Sequence, residues 1–281
     1  MSRSASVIVR ARDKAATIER TLRAVRAQTV GAELILVDSG SRDETLEIAR
    51  RYCDRLVEIP AAEFTYGHAL NVGAAAASGE VHFALSAHSF PERDDWIERS
   101  LAHYDRPDVA ATCSHRVLPD GTPLHTTLHQ DLAHARAHPE WGFSNSASSW
   151  RASVWREQPF DATLAYSEDK EWALRVLGAG YVIAYDPELW VDYSHSWTGM
   201  RNLFRRSVLT AETIDLLAER PRYRLTDLAA DWWTRIPHDR HSAFAHRFLN
   251  HKRLIDLAGT YVGSRRAHRR NRASRPDPRE R

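Results

Sequence analysis

The sequence predicts an α/β fold in which a mostly parallel, Rossmann-like sheet is followed by a helical C-terminal extension. Short apolar segments and amphipathic helical segments alternate over the first sixty of the 281 residues. This β-α-β-α-β order favours parallel strands joined by right-handed crossovers. Small and polar residues directly follow two of the apolar segments, at the edge where such sheets bind their ligands. Beyond Trp197 the strand-like pattern ends and only helical periodicity continues.

The individual elements follow from the local pattern of apolar residues. Buried strands are expected where runs of Val, Ile, Leu and Phe stand between turn-forming residues, namely at 6–9, 33–37, 55–59, 81–85, 109–115 and 181–185. Helices are expected where apolar residues recur every three or four positions, namely at 17–28, 43–52, 68–78, 94–103 and 167–178. Residues 119–142 hold many His and Pro with little periodicity, which predicts a long functional loop.

Three regions are expected along the chain. Residues 1–198 form the sheet domain, 199–263 the helical extension, and 264–281 a basic tail that is predicted to be disordered. The tail holds eight Arg against Asp277 and Glu280, a balance of +6, which leaves −4 for the preceding residues. This mildly acidic body argues against a nucleic-acid partner, which would need a basic folded surface. For the tail, peripheral contact with an anionic membrane stays open beside a solvated end.

The chain is predicted to be cytoplasmic. An apolar strand begins within six residues of Met1, which leaves no room for a signal peptide. The sequence has no apolar run of about eighteen residues, the length that a membrane-spanning helix needs. Cys53 and Cys113 show neither a disulfide framework nor metal-ligand spacing, so both are interpreted as buried apolar residues. The oligomeric state, a homo-oligomer included, stays open.

Three polar segments carry the candidate chemistry. Asp38 opens the segment 38–41 after the second strand, where small residues permit a sharp turn and expose backbone N–H groups to an anion. An ordinary turn would have the same composition. The fourth strand ends in the segment 86–88, at a tip where a divalent cation beside a phosphate would be held. Glu168 and Asp169 open a helix, where carboxylates gain from the helix dipole and one of them is a candidate general base.

Together with further segments, these residues resemble glycosyltransferase family 2 of the GT-A fold, close to its bacterial rhamnosyltransferase-like branch. The resemblance is collinear over about residues 4–197. The segments that carry it are 7–13, 37–45, 64–73, 143–146 and 168–169. Each segment alone is modest, but the five in the same order are specific.

The resemblance implies an inverting transfer of a sugar to an acceptor hydroxyl. Asp169, or failing it Glu168, would deprotonate that hydroxyl, and its oxygen would attack the anomeric carbon opposite the leaving diphosphate. Asp38 would accept hydrogen bonds from the base or the ribose of the donor. The other donor-binding residues are expected to be Arg12, Asp13, Ser39, Gly40, Asn71, Ser86 and Ala87. The acceptor side is expected at Trp141 and Asn145.

The donor implied by the resemblance is a nucleotide-sugar. Rhamnose or another deoxyhexose is the first expectation for the sugar, and UDP-, dTDP- and GDP-linked donors all stay open. The acceptor would be a glycan or a small molecule.

The sequence departs from the family at the metal motif. Where the family usually has Asp-x-Asp, this chain has Ser86-Ala87-His88. One interpretation is a divalent metal shared by His88 and His195, with Mn²⁺ favoured over Mg²⁺ because imidazole suits the softer ion. A second is that protonated His88 and arginines such as Arg12 neutralise the leaving charge without a metal. The third is a degenerate site that binds the donor without transferring sugar, which the intact acidic pair disfavours.

Two further functions stay open from the sequence. A nucleotidyltransferase on a similar sheet would want a Gly-rich, Lys-containing phosphate loop near the first strand, and residues 10–14 lack the glycines. A non-catalytic nucleotide-sugar-binding or scaffold protein is consistent with the missing aspartates at Ser86 and His88.

Overall fold

The computed structural model describes residues 3–193, 199–217, 221–234 and 251–273. The chain divides into two compact units, Met1–His195 and Ser196–Arg281, and each is described by itself. Within the described residues, all strands lie in the first unit, while the second unit is helical.

Ten strands are found in the described part of the first unit. They are β1 (Ala5–Ala11), β2 (Glu33–Asp38), β3 (Arg55–Glu58), β4 (Val81–Ser86), β5 (Ser89–Pro91), β6 (Val109–Cys113), β7 (Leu128–Gln130), β8 (Ala147–Arg151), β9 (Val182–Tyr185) and β10 (Val191–Tyr193). Eight of them form one sheet in the order β3-β2-β1-β4-β8-β6-β9-β7, and β5 pairs with β10 in a second, antiparallel sheet. The strands β3, β2, β1 and β4 run parallel, as do β6 and β9. The mixed α/β architecture with its large, mostly parallel sheet confirms the predicted fold class.

The helices of the first unit are α1 (Ala15–Arg26), α2 (Thr45–Ala49), α3 (Tyr66–Ala76), α4 (Trp96–Ala102), α5 (Leu132–Ala137), α6 (Ala152–Glu157) and α7 (Glu168–Gly178). Five of these helices coincide with helices that the apolar periodicity predicts, with ends that differ by a few residues. The second unit adds α8 (Met200–Leu217), α9 (Leu225–Thr234) and α10 (His251–Ala273).

Both faces of the sheet are buried. Alternate side chains of each strand point to opposite faces, and each face packs against its own apolar core. Val7 and Val9 of β1 pack into the apolar core that includes α1 and α4. Ile8 packs into the core on the other face, which includes Leu70 of α3 and Trp172 of α7. With both faces covered, the carboxyl-terminal edge of the parallel strands is the part of the sheet left to bind a ligand.

A central strand, β8, escaped the sequence analysis. It lies between β4 and β6 and is antiparallel to both. Its residues Ser148 and Ser149 are buried. The Ser149 hydroxyl lies 2.7 Å from the side-chain oxygens of Ser100, Tyr104 and Thr112, so these buried hydroxyls satisfy one another. A buried strand with polar side chains is possible here because its hydrogen-bond partners come from distant parts of the chain.

The segment predicted as a long loop, 119–142, contains regular structure. β7 adds to the sheet as an antiparallel neighbour of β9. The helix α5 is preceded by its N-cap residue Asp131, whose carboxylate accepts a hydrogen bond from the backbone N–H of His134. The prediction of a loop throughout this segment is therefore wrong. Both elements are short, three and six residues, which gives periodicity too few positions to be detected.

The helix α3 packs against the sheet through Gly73. A side-chain methyl group at this position would overlap Cγ2 of Ile8 and come within 3.0 Å of Cγ2 of Val37. We therefore expect Gly73→Ala to lower the free energy of unfolding by about 1–3 kcal/mol, as overpacking of a filled core does. Chemical denaturation would measure the change. Gly178→Ala is the matched control, since nothing lies within 4 Å of a methyl group there; it should leave stability unchanged or raise it by up to about 1 kcal/mol. Equal effects of the two substitutions would contradict the packing argument.

In the second unit, α10 packs closely on α8. A methyl group at Gly263 would meet the backbone of α8 at Val208 and at Glu212, and the Ser207 hydroxyl donates a hydrogen bond to the Asp256 carboxylate. Here the structure differs from the prediction of a disordered tail from residue 264, because α10 continues to Ala273 and buries Ala267. Among the described residues, no helix is both long enough and apolar enough to cross a bilayer.

Candidate active site

The candidate residues lie where β1, β2 and β4 end on the same edge of the sheet. In the register of the parallel strands, Ala11 of β1 is opposite Asp38 of β2, and Arg10 is opposite Ser86 of β4. The next residues of each strand therefore leave the sheet side by side. The sequence motifs at 10–13, 38–41 and 86–88 are brought together by this register.

The Asp38 carboxylate is hydrogen-bonded within its own loop. It is only 1 % exposed, and its Oδ2 accepts hydrogen bonds from the backbone N–H groups of Gly40 at 2.9 Å and Ser41 at 2.8 Å. Its Oδ1 accepts one from the Ser41 hydroxyl at 2.5 Å. Gly40 has a φ of +85°, a backbone conformation that favours glycine. The carboxylate thus fixes the turn of the loop, and Gly40 is the exposed member of it.

The loop after β1 is joined to the loop after β2. The backbone N–H of Asp13 donates to the Ser41 hydroxyl at 2.9 Å, and the Asp13 carboxylate accepts from the backbone N–H of Arg42 at 2.8 Å. Asp13 has a φ of +49°, while Ser39 is buried and donates to the carbonyl of Ala11. Arg12 is exposed at this edge. The donor-binding residues predicted in the two loops therefore form one connected rim.

The segment 86–88 is held in place at its backbone. The N–H of Ser86 donates to the carbonyl of Ser146 at 2.9 Å, and the N–H of Ala87 donates to the carbonyl of Arg10 at 3.3 Å. Ala87 is buried and its carbonyl accepts from the Thr17 hydroxyl at 2.8 Å, while Ser86 and His88 are half-buried.

The predicted metal ligands are only partly within the structure. His88 lies at the expected sheet edge, whereas His195 falls outside the described residues. Among the residues that are described, no group of three or more His, Cys, Asp or Glu side chains is arranged to hold a metal ion. The described residues alone therefore do not make up a metal site.

The acidic pair lies at the first turn of α7. Glu168 is buried, and Ser167 before it has a φ of +65°. Burial, together with the charge of Asp169, raises the pKa of Glu168 to about 7, against the opposing effects of Arg10 and of a hydrogen bond from Asn145. Asp169 is half-buried, and its Oδ1 accepts a hydrogen bond from the backbone N–H of Lys170 at 2.8 Å.

Asn145 connects the acidic pair to the sheet edge. Its backbone N–H lies 3.4 Å from Oδ2 of Asp169, and its side-chain amide donates to Oε1 of Glu168 at 3.3 Å. Its carbonyl accepts a hydrogen bond from Nη2 of Arg10 at 2.5 Å. Asn145 is only 2 % exposed, so this predicted acceptor-side residue touches both carboxylates from within the protein.

Arg10 is the residue that the sequence analysis did not single out. It is the one charged residue of β1, whose other members are apolar except for Ser6. Its Nε and Nη1 are shielded from solvent without a hydrogen-bond partner among the described residues. Burial lowers the pKa of its guanidinium, while Glu168, Tyr66 and Asp169 act in the opposite direction. Its Cζ lies 5.5 Å from the ring centroid of Tyr66. The signal available in the sequence was one charged residue within an apolar strand, one position before that strand ends.

Two other predicted site residues have their polar atoms bound within the protein. Asn71 of α3 donates to the carbonyl of Phe160 at 2.8 Å and accepts from the N–H groups of Trp155 and Phe160 at 2.9 and 3.1 Å. Trp141 donates through Nε1 to the carbonyl of Val117 at 3.0 Å, and its ring stacks on His115 at 4.3 Å between centroids. The ring face that His115 covers is not open to a sugar.

Residues 6–164 match the model of the family described as Glycosyl transferase family 2. The chain therefore belongs to this family, which confirms the resemblance of the motifs.

The matched relatives include rhamnosyltransferases. The O-antigen chain rhamnosyltransferase WbaN of Salmonella anatum is 30 % identical over 187 residues, which cover 59 % of this chain and 58 % of the relative. RfbN of Salmonella typhimurium, of the same description, is 29 % identical over 63 % of this chain and 62 % of its own. A pre-mycofactocin glycosyltransferase of Mycobacterium tuberculosis is 27 % identical over 78 % of this chain and 48 % of its own. The chain thus spans about three-fifths of the length of the rhamnosyltransferases that it matches.

Solved structures of similar fold include proteins crystallised with a nucleotide or a nucleotide-sugar. The mannosyltransferase PcManGT of Pyrobaculum calidifontis, in complex with GDP-Man and Mn²⁺, superposes with a TM-score of 0.60 at 17 % identity over 99 % of this chain and 77 % of that one. The glucosyl-3-phosphoglycerate synthase of Mycobacterium tuberculosis, with Mn²⁺, UDP-glucose and phosphoglyceric acid, gives 0.58 at 17 % identity over 78 % and 81 %. TarS of S. aureus with UDP gives 0.56 at 15 % identity over 98 % and 94 %. At these identities the likeness establishes the GT-A fold.

Proposed function

We propose that the protein is an inverting glycosyltransferase that moves a sugar from a nucleoside-diphosphate-sugar to an acceptor hydroxyl. The observation that carries the proposal is the Glu168–Asp169 pair at the sheet edge of a family 2 chain, joined through Asn145 to the end of β1. A buried carboxylate next to a more accessible one is an arrangement suited to general-base chemistry.

Asp169 is the proposed general base. It is the more accessible carboxylate of the pair, and the N–H of Asn145 orients its Oδ2. In the proposed step the proton of the acceptor hydroxyl passes to Asp169, and the acceptor oxygen forms a bond to the anomeric carbon. The bond from that carbon to the diphosphate breaks on the opposite face, which inverts the configuration. The transition state has oxocarbenium character, as in glycoside hydrolysis.

The donor is proposed to bind on the rim formed by the loops at 10–13 and 38–41, with Ser86 and Ala87 beside it. In this proposal Asp38 acts by holding its loop closed, since its oxygens already accept three hydrogen bonds there. Rhamnose is the proposed sugar, because the two relatives about 30 % identical are named rhamnosyltransferases. A cell-surface glycan precursor is the proposed acceptor, for which the O-antigen relatives are the support.

We propose a metal requirement that involves ligands beyond the described residues. Two neighbours of the same fold were crystallised with Mn²⁺, but the described residues of this chain do not supply three metal-ligating side chains. A divalent ion, if bound, would neutralise charge on the leaving diphosphate. The alternative within the same proposal is neutralisation by protonated His88 and by Arg12, which is exposed on the donor rim.

Calorimetric titration with UDP, dTDP and GDP, each with Mn²⁺, with Mg²⁺ and with EDTA, tests the donor class. We expect micromolar binding of one nucleotide, because a single base must fit the site beside the rim. Loss of that binding in EDTA, together with its loss in His88→Ala, would assign His88 to a metal site. Binding that EDTA leaves unchanged would assign the charge neutralisation to cationic side chains. If none of the three nucleotides binds under any condition, the proposed function is wrong although the fold stands.

A catalytically degenerate nucleotide-sugar-binding protein is the second candidate function. It is favoured by one observation, Ser86-Ala87-His88 in the place of the usual Asp-x-Asp. In that case the donor nucleotide binds, but no variant of the acidic pair changes a reaction rate. No feature of the described residues favours a nucleotidyltransferase.

In this proposal residues 1–198 form the catalytic domain and residues 199–263 form a helical extension. The basic segment from residue 264 makes surface contacts. We propose a cytoplasmic enzyme that meets its acceptor at the membrane surface. The Arg-rich C-terminal segment supports this, since each basic residue near an anionic membrane adds about 1 kcal/mol of attraction.

A further inference from the structure

The buried position of Arg10 is energetically unfavourable by itself. Its Nε and Nη1 are buried without hydrogen-bond partners among the described residues. Within the described parts of the chain, Nη2 alone has a hydrogen-bond partner, the carbonyl of Asn145. A buried cation with unsatisfied donors destabilises a fold unless nearby charge compensates it. The compensating charges have to come from the groups that surround it.

Those groups are the acidic pair. Glu168 and Asp169 both act electrostatically on Arg10, as does Tyr66, whose ring lies 5.5 Å from Cζ. Asn145 links the three charges physically, because its carbonyl accepts from Arg10 while its two N–H groups reach Glu168 and Asp169. Cation and carboxylates thus share one hydrogen-bonded residue.

We propose that Arg10 is a positioning residue of the reaction, whose buried charge favours the ionised form of Glu168 beside Asp169 and whose hydrogen bond fixes Asn145 against both carboxylates. This inference rests on the proposed function, in which Asp169 of the acidic pair is the general base. Two adjacent carboxylates in a buried setting disfavour each other's charge. With Asn145 fixed in this way, its N–H holds Oδ2 of Asp169 in place to receive the proton of the acceptor hydroxyl, as a general base requires.

The electrostatics of Glu168 agree with this role. Burial and the charge of Asp169 raise the pKa of Glu168 to about 7, and Arg10 is the cation that lowers it. Other titratable groups around the acidic pair include Tyr66 of α3 and Lys170 of α7, whose ammonium donates to the carbonyls of Gly142 and Phe143. Cys113 of β6 and Tyr185 of β9 also lie within the electrostatic reach of Asp169. Removing Arg10 should therefore raise the pKa of Glu168 above neutrality, so that Glu168 is protonated at pH 7–8.

The test is a carbon NMR titration of the ligand-free protein labelled with [¹³C]glutamate. The Glu168 carboxyl signal is identified by its absence in Glu168→Gln. We expect Arg10→Gln to raise the Glu168 midpoint by at least about one pH unit, while Arg10→Lys keeps it within about half a unit because the charge remains. Arg55→Gln, which removes an exposed strand arginine paired with Glu33, should leave it unchanged. An unchanged midpoint in Arg10→Gln would overturn the proposal.

A second readout separates this proposal from the proposed function. Hydrolysis of the sugar-nucleotide whose nucleotide binds should show an acid limb in kcat/KM that moves with the Glu168 midpoint in Arg10→Gln. A midpoint that moves while the acid limb stays in place would overturn the catalytic role of Arg10. The fate of the function itself is decided independently by Asp169→Asn.

If Arg10→Gln does not fold, the double variant Arg10→Gln/Glu168→Gln decides. Removing the carboxylate together with its cation should restore a folded protein, because the two charges compensate each other. Absence of any rescue would overturn the pairing of Arg10 with Glu168.

Discussion

Replacing Asp169 with asparagine should lower the rate of sugar transfer by about 10²- to 10⁴-fold, the usual contribution of a general base. The amide has the shape of the carboxylate, and its oxygen can still accept the hydrogen bond from the N–H of Asn145. It cannot take up the proton of the acceptor hydroxyl. Steady-state release of the nucleotide, measured with the donor identified by calorimetry, gives the rate, and the same calorimetry should give a nucleotide affinity within about twofold of the wild type.

The matched control for this variant lies on the same helical turn. Glu171→Gln changes a carboxylate to an amide two residues further along α7, where the side chain pairs with Arg175 at 2.5 Å. It should leave both turnover and nucleotide affinity unchanged. If Asp169→Asn kept full turnover, Asp169 would not be the base. If the wild type itself bound the nucleotide but transferred no sugar, the chain would be a degenerate binding protein. Loss of nucleotide binding along with turnover would point to a damaged fold.

The sequence predicts well those parts of the fold that depend on local pattern. The strands β1, β2 and β4 are unbroken or nearly unbroken apolar runs, and the helices α1 and α7 have strong periodicity. Parallel order then follows from the alternation of strands and helices. The same rules bring the strand tips to one edge, so the neighbourhood of Asp38 and Ser86 could be predicted without coordinates.

The parts that the sequence does not predict depend on distant partners. Ser149 in β8 resembles a loop residue until Tyr104 and Thr112 are placed against it. Asn71 is an attractive ligand-binding residue in its motif, yet its side-chain amide is hydrogen-bonded to Trp155 and Phe160, more than eighty residues away. A motif identifies a polar residue but not whether its polar atoms are already used inside the protein.

Arg10 is a site residue that the sequence alone does not reveal. Its position in β1 is visible in the sequence, but its relation to Glu168 spans most of the sheet domain and is created by the fold. The register of β1 with β4 and the carbonyl of Asn145 set the place of the guanidinium. Charge compensation across such separations has no signature in a single sequence.

The Asp38 carboxylate could serve the donor site in two ways, by holding its loop in shape or by binding the donor directly. Replacing it with alanine removes the acceptors for the Gly40 and Ser41 N–H groups and the Ser41 hydroxyl. Hydrogen bonds to a charged group contribute about 1.5–3 kcal/mol each, and loss of about 2 kcal/mol from the ordered loop corresponds to about a 30-fold weaker nucleotide affinity. Calorimetry measures the affinity, with Glu47→Gln, an exposed carboxylate on α2, as the control that should change nothing.

Asp38→Asn then distinguishes the loop from the ligand. An asparagine can keep the loop, because its oxygen can accept from both backbone N–H groups while its amide donates to the Ser41 hydroxyl in place of Oδ1. Since the carboxylate is only 1 % exposed, we expect nucleotide affinity in Asp38→Asn to stay within about threefold of the wild type, a difference of under about 1 kcal/mol. A loss as large as that of Asp38→Ala would instead mean that the carboxylate accepts a hydrogen bond from the base or ribose directly. The loop would then have to open to admit the donor, and Gly40, exposed and at positive φ, is the point at which it would do so.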